Sequence, residues 1–168
     1  MRRQQYYVIF RTEAGWVGLL GSAAGLKRST LPQPSKEKAI EALGIDTDKA
    51  ILSHQYFKNL VKRFQDYFMG RLVDFPDKLD LNEATDFQRK VWKATSQIPY
   101  GQTRSYSWIA RQIGKPGAAR AVGQALGKNP LLIIVSCHRV LMSEGSLGGF
   151  TGGLVIKKYL IALEKKSD

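Results

Sequence analysis

The sequence predicts an α+β chain, with a small N-terminal α/β domain over residues 1–82 and a mostly helical, helix-turn-helix-bearing domain over residues 83–168. Three observations predict it. Two β-rich runs open the chain and give way to an aromatic stripe at helical spacing. An acidic, proline-bearing stretch over 74–82 then interrupts the pattern, and the remainder is a run of short, capped helices. At 168 residues the chain suits one large domain or two small ones with real cores.

Tyr6-Tyr7-Val8-Ile9-Phe10 and Trp16-Val17-Gly18-Leu19-Leu20 read as strands, with Gly15 in the turn between them. A third short strand is expected around Gly25 to Thr30, before Pro32 and Pro34 break the chain. Ser35 fits the N-cap of a helix through Leu43, and Gly44 its stop. Phe57, Leu60, Val61, Phe64, Tyr67 and Phe68 recur at three- and four-residue spacing up to Gly70. That predicts a helix packed on its aromatic stripe, with Lys58, Lys62, Arg63 and Asp66 in water. His54, just before it, reads as a cap or surface residue.

Asp74 to Asn82 reads as a linker, which puts the domain boundary near residue 82. Thr85-Asp86-Phe87-Gln88 has capping-box spacing, and Phe87, Val91, Ala94 and Ile98 line one face of the helix that Pro99-Tyr100-Gly101 ends. Ser105 caps a second helix with Trp108, Ile109 and Ile113 inward. Gly114-Lys115-Pro116-Gly117 is a tight turn, and Ala118 to Leu126 is a third helix. Helix, Gly-bearing turn and helix at this length is a helix-turn-helix signal, weak alone because many helical domains have it. Gly145, Gly148, Gly149, Gly152 and Gly153 then crowd nine residues, where backbone groups can approach a ligand closely. A final amphipathic helix with Leu154, Tyr159, Leu160 and Leu163 leads to Glu164 and a solvated Lys165-Lys166 tail.

No run of 18 or more apolar residues exists, so neither a membrane span nor a membrane partner is expected. Met1-Arg2-Arg3-Gln4-Gln5 lacks an apolar signal core. One cysteine and two histidines make a poor structural zinc set, and a free thiol suits a reducing cytoplasm. The net charge of +12 is unevenly spread. Residues 1–84 hold 13 Lys and Arg against 10 Asp and Glu, a net of +3. Residues 85–168 hold 13 against 4, a net of +9. The second half therefore expects a polyanionic partner, and charge alone does not separate nucleic acid from an acidic membrane surface.

The chemistry concentrates around Cys137. The uncharged run Leu131 to Val135 delivers the only cysteine, followed at once by His138 and Arg139. A thiol beside a base and a fixed cation is the arrangement that makes a strong nucleophile. The third helix carries almost only small side chains around Arg120, with Val122, Ala125 and Leu126 turned inward and Ala119, Arg120, Gly123 and Gln124 outward. Small residues allow close approach to a narrow groove, and a lone cation among them can wedge into a base stack. Enzymes that react with a base must first extrude it. A pocket in the Gly-rich loop, a wedge at Arg120 and a nucleophile at Cys137 supply the three needed parts. No phosphate loop, metal cluster or dinucleotide fingerprint is visible, so no cofactor is expected.

Cys137-His138-Arg139-Val140, preceded by Asn129-Pro130 and followed by Gly152-Gly153-Leu154, resembles the active-site signature of the O6-alkylguanine-DNA alkyltransferases. The resemblance runs from about Phe87 to Glu164 and includes Pro99-Tyr100-Gly101, Ser105-Tyr106 and Ala118-Ala119-Arg120-Ala121-Val122-Gly123. It implies a ribonuclease-H-like N-terminal domain, a winged helix-turn-helix-like C-terminal domain, and a monomer acting on double-stranded DNA that contains O6-alkylguanine. It further implies single-turnover repair in which the flipped base loses its alkyl group irreversibly to Cys137. By that resemblance His138 is the base acting through a water, Glu164 orients it, and Asn129 ties the helix-turn-helix to the cysteine segment. Tyr106 donates a proton toward guanine N3, and Arg120 replaces the extruded base. Gln88, Ser105, Lys115, Ala119 and Ser143 touch DNA or the pocket rim, and Leu126, Leu132, Phe150 and Thr151 line the pocket.

Three positions depart from the family pattern. Ser136 stands where proline usually precedes the cysteine, Leu132 occupies another common proline position, and Phe150 replaces a usual tyrosine. Three other classes remain open on the residues: a binder of alkylated bases without transfer, a Cys-His hydrolase with multiple turnover, and a helix-turn-helix transcription factor. The third helix offers few base-reading side chains for the last of these.

Overall fold

The computed structural model describes residues 3–166, which divide into two compact units. One takes the chain through Asn82 together with Pro130–Leu132, and the other takes Glu83–Asn129 and the chain from Ile133 onward. Met1 and Arg2, part of the N-terminal stretch read above, lie outside the described residues. The α+β architecture expected from the sequence is the one observed, a small sheet first and helices after.

In the first unit, β1 (Gln5–Thr12) and β2 (Gly15–Ser22) form an antiparallel hairpin, and β3 (Gly25–Ser29) continues it. Gly15 is obligatory at the hairpin's end. Its φ is 133°, and a Cβ there would lie 2.6 Å from the Gln33 carbonyl oxygen, where Trp16 and Gln33 exchange backbone hydrogen bonds. Helix α1 (Lys36–Leu43) is capped by Ser35, whose hydroxyl accepts from the Lys38 N–H, and stops at Gly44 in the left-handed region. A 3₁₀ turn (Thr47–Lys49) then leads into β4 (Ala50–Leu52), which pairs parallel to β1 and sets the order β3-β2-β1-β4. Three residues are too few for a periodicity to reveal, so this strand is absent from the sequence reading.

Helix α2 (Lys58–Phe68) buries the expected stripe, with Phe57, Leu60, Phe64, Tyr67 and Phe68 inward and the Phe64 ring edge-on to Phe10 at 5.9 Å. His54 lies exposed and caps nothing. The segment expected to be a linker is instead laid against β3. Leu26 N–H donates to the Lys78 carbonyl (2.9 Å), Asp80 N–H donates back to Leu26 (2.7 Å), and Arg63 of α2 clasps Asp77. Backbone pairing, invisible in composition, converts it to part of the unit. Pro130–Leu132 joins the same edge, where Ser29 N–H donates to Pro130 and the Ser29 hydroxyl to the Leu132 carbonyl (2.6 Å).

The second unit starts at α3 (Asp86–Ser96), whose Thr85 and Gln88 complete the capping box. Trp92, Thr95 and Ile98 fill its buried side, and the Trp92 indole donates to the Ala125 carbonyl (2.9 Å), fastening α3 to α5. Strand β5 (Arg104–Ser105) leads into α4 (Tyr106–Gln112), and α5 (Ala119–Gly127) follows the turn, so the helix-turn-helix is present. Trp108, expected inward, stays half-buried beneath the Arg104 guanidinium (5.4 Å), and Ala110 takes the core place beside Ile109. β6 (Val140–Leu141) pairs parallel to β5. The closing helix α6 (Leu154–Lys165) corrects a second expectation. Leu154 and Tyr159 are exposed, and the buried face is Lys157, Leu160 and Glu164. That stripe has helical spacing, but two charged side chains disguise it. Among the described residues no helix is long and apolar enough to cross a membrane.

Candidate active site

The apolar run reaches the cysteine through a strained bend. Ile133 has φ 75°, the one non-glycine with positive φ among the described residues, and a β-branched side chain holds that angle only when its surroundings impose it. Cys137 N–H then donates to the Val135 carbonyl (2.7 Å), and Cys137–Arg139 forms a 3₁₀ turn. Asn129, just after α5, braces this path from within the unit. Its side-chain amide donates to the Val135 carbonyl (3.0 Å) and to the Cys137 sulfur (3.2 Å). One buried amide therefore fixes both the turn and the atom that the turn presents.

His138 and Arg139 converge on one carboxylate. Glu164 lies 2.5 Å from His138 Nε2 and accepts from Arg139 Nε at 2.7 Å. Burial alone would raise the Glu164 pKa, yet the bonds and charges of His138 and Arg139 pull it down to about 2. Burial lowers the His138 pKa, against the opposing pull of Glu164, so the ring is neutral. A neutral ring facing a carboxylate carries its proton on Nε2 and donates it to Glu164, which leaves Nδ1 as the basic nitrogen. Arg139 was expected as a cation beside the thiol. It is turned away instead, bonded to Glu164 and to the Ile98 carbonyl (2.7 Å), because a buried guanidinium seeks its carboxylate.

The cation near the sulfur is Lys157, a residue the sequence reading missed. It is fully buried, and its ammonium donates to the carbonyls of Val140 (2.7 Å), Leu147 and Gly149 (3.2 Å). The Tyr106 and Phe150 rings lie 5.8 and 5.9 Å from it. Burial lowers its pKa to about 8, with the Cys137 charge opposing. Burial raises the Cys137 pKa, and the Asn129 bond and then Lys157 work against that rise. The sulfur therefore rests as a thiol and needs a base to become a nucleophile.

Cys137 is 5% exposed, and that remnant opens into a cavity of about 650 Å³. The expected outer face of α5 forms one wall through Ala119, Arg120, Gly123 and Gln124, with Leu126 deeper. Tyr106, Met142, Gly149, Phe150 and Thr151 form the other. The Tyr106 hydroxyl donates to the Gly149 carbonyl (3.3 Å), and burial raises its pKa, so it is a protonated donor. A Cβ at Gly123 would meet that ring at 3.7 Å, an ordinary van der Waals contact.

The fold thus gathers Cys137, Tyr106, Arg120, Ala119, Leu126, Phe150 and Thr151 around the cavity, with His138, Glu164 and Asn129 of the same unit buried and outside its lining. Leu132 is not among the lining residues, because it belongs with Pro130 and Ser29 at the sheet of the other unit. Four other predicted positions have local jobs. Gln88 closes the capping box on Thr85 (3.0 Å), and Ser105 caps α4 by accepting from Trp108 N–H (2.9 Å). Lys115 sits over the Phe87 ring (5.6 Å), and the Ser143 and Ser107 hydroxyls meet at 3.1 Å. Met142 was missed for want of any motif. Lys157 had one available signal, its helical register with Leu160 and Glu164. Among the described residues no cluster of His, Cys, Asp and Glu could hold a metal ion.

Residues 86–166 match the family model described as 6-O-methylguanine DNA methyltransferase, DNA binding domain. Over 162 residues the chain is 43% identical to a methylated-DNA–protein-cysteine methyltransferase of Methanosarcina barkeri, covering 96% of this chain and 98% of that one. A protein of the same name from Mycobacterium bovis is 55% identical over 109 residues, 65% of this chain and 66% of that one. Among solved structures, Mycobacterium tuberculosis OGT in complex with DNA superposes with a TM-score of 0.80 at 42% identity, covering 96% of this chain and 93% of that one. The Mycobacterium tuberculosis O6-methylguanine methyltransferase gives 0.80 at 40% identity, covering 98% and 95%.

Proposed function

The chain belongs to the methylated-DNA–protein-cysteine methyltransferases, and from that premise we propose that Cys137 is the sulfur that receives the alkyl group and that its neighbours divide the remaining work. The protein repairs DNA by direct damage reversal, moving an alkyl group from O6-alkylguanine to its own cysteine. The observation that carries the assignment to Cys137 is a sulfur bonded by Asn129 at the edge of a cavity walled by small residues and Arg120.

In this reading the extruded guanine enters the cavity, and Arg120 takes the vacated place in the stack. His138, neutral and basic at Nδ1, removes the thiol proton through a water, while Glu164 holds the ring and stabilises the imidazolium. The S–C bond forms as the C–O6 bond breaks, and Tyr106 delivers a proton toward guanine N3 so that guanine departs neutral. Lys157 and the Asn129 amide lower the cost of the thiolate in a buried place. Backbone groups near Thr151 face O6. The thioether has no leaving group, so each molecule acts once. Gln88, Ser105, Lys115, Ala119 and Ser143 border the duplex, and the protein acts as a monomer in a cytoplasm that keeps its lone thiol reduced.

Intact-mass analysis after incubation with O6-methylguanine duplex DNA tests the reading. One added methyl on the wild type, mapped to Cys137, and none on Cys137→Ala is the expected result. An unchanged wild-type mass with retained binding would instead make the protein a reader of alkylated bases, and repeated turnover on an ester would make it a hydrolase.

A further inference from the structure

We propose that Ser136 is a positioning residue for the reacting sulfur: its hydroxyl pins the single tight turn that aims Cys137 into the cavity. This rests on the alkyl-transfer reading above. Ser136 has φ −77° and ψ 53°, and the bond from Cys137 N–H to the Val135 carbonyl (2.7 Å) spans it. That is an inverse γ-turn with Ser136 at its centre. One such bond is a soft restraint, and the residue next to it carries the nucleophile. The Ser136 side chain is 1% exposed, and its hydroxyl donates to the Thr95 carbonyl at 2.9 Å.

The acceptor is available for a reason written in the sequence. In an unbroken helix the Thr95 carbonyl would take the N–H of residue 99, but that residue is Pro99 and has none. The carbonyl accepts from Ile98 N–H (3.1 Å) and still has a lone pair for Ser136. Arg139 repeats the device on the far side, donating to the Ile98 carbonyl at 2.7 Å. Cys137 and His138 are thus flanked by two side-chain anchors, one fixed to a carbonyl in the last turn of α3 and the other to a carbonyl just beyond its end.

Displacing a reacting atom by about 1 Å can cost on the order of a hundredfold in rate. Without the hydroxyl, the Asn129 amide still holds the Val135 carbonyl and the sulfur, but residue 136 at the centre of the turn loses its own anchor and can relax toward ordinary extended angles, while the thiol, His138 and the cavity keep their chemistry. A proline at 136 would restore the restraint by other means. Its ring fixes φ near −65 ± 15°, which spans the observed angle, and the closing bond uses only the Val135 carbonyl and the Cys137 N–H.

The experiment is single-turnover methyl transfer at saturating O6-methylguanine duplex for wild type, Ser136→Ala and Ser136→Pro. DNA affinity, thermal melting, active fraction and the pH–rate profile are measured alongside. Ser136→Ala is expected to bind DNA as the wild type does and to transfer roughly 10- to 100-fold more slowly. Its pH profile keeps the same inflection with a lowered plateau, and Ser136→Pro recovers most of the loss. Wild-type transfer by Ser136→Ala, corrected for active fraction, overturns the proposal even if melting falls, because the hydroxyl is then only structural. A shifted inflection, or Ser136→Pro as slow as Ser136→Ala, overturns it too, since the hydroxyl then acts on acidity and not on aim. Failure of the wild type itself to take up methyl refutes the underlying reading, and that result is seen without any variant.

Discussion

Glu164 is a carboxylate held by a buried neutral imidazole and a buried guanidinium with almost no water, and its protonation state governs how the site tolerates acid. Its pKa lies below its ordinary 4.5, at about 2, so the stability gained from its ionised form is present above pH 4.5 and is lost as pH falls toward 2. His138 acts with the same sign through a different group. Burial holds its pKa below the ordinary 6.5, so the unfolded chain takes up that proton first and acid below about 6.5 favours unfolding. Urea melts from pH 8 to pH 2 should therefore show stability falling in two stages. Glu164→Gln removes one partner of a buried ion pair and should cost about 3 kcal/mol or more at pH 7. It should also flatten the stage between pH 4.5 and 2. Parallel curves for the two proteins would mean that Glu164 does not hold the low pKa. The cysteine, histidine and glutamate were all legible as a set from the signature. The turning away of Arg139 and the arrival of Lys157 were not, because partner choice by a buried charge depends on which carboxylate and carbonyls the fold brings near.

In the proposed function, helix α5 is the element on which duplex recognition turns. Its small side chains leave the cavity wall thin, and Arg120 stands exposed at the rim. Arg120→Ala should slow repair of O6-methylguanine in duplex by on the order of tenfold or more, the scale of unstacking a base without a replacement. Reaction with a free O6-alkylguanine base, which needs no extrusion, should change little. Equal losses on both substrates would assign Arg120 to the pocket and not to the flipped state. The identity and outward face of this helix were readable from its composition, and so was the capping box of α3. The face of α6 was not, since Lys157 and Glu164 read as solvent-facing until the cavity and the His-Arg pair are in place.

For the molecule as a whole, the charge imbalance sets the expected response to salt. The half from residue 85 carries +9, and each phosphate it neutralises releases counterions. Duplex affinity should fall by roughly 0.9 log units per neutralised phosphate for each tenfold rise in salt. Fluorescence anisotropy between 50 and 200 mM salt checks this, and a flat response would remove the electrostatic account. Composition and spacing determined the α+β order and the helix-turn-helix, and one short signature pointed to Cys137 and His138 as the proposed nucleophile and base, since these follow from local periodicity and adjacent residues. Tertiary structure alone decided that Lys78–Asp80 pair with β3, that Leu132 leaves the pocket, that Lys157 is buried against the Val140 and Gly149 carbonyls, and that Ser136 finds the Thr95 carbonyl. The physical reason is common to all four. Each is a polar or backbone group satisfying itself against a distant part of the chain, and such pairings are set by where the packed elements end and not by the residues on either side.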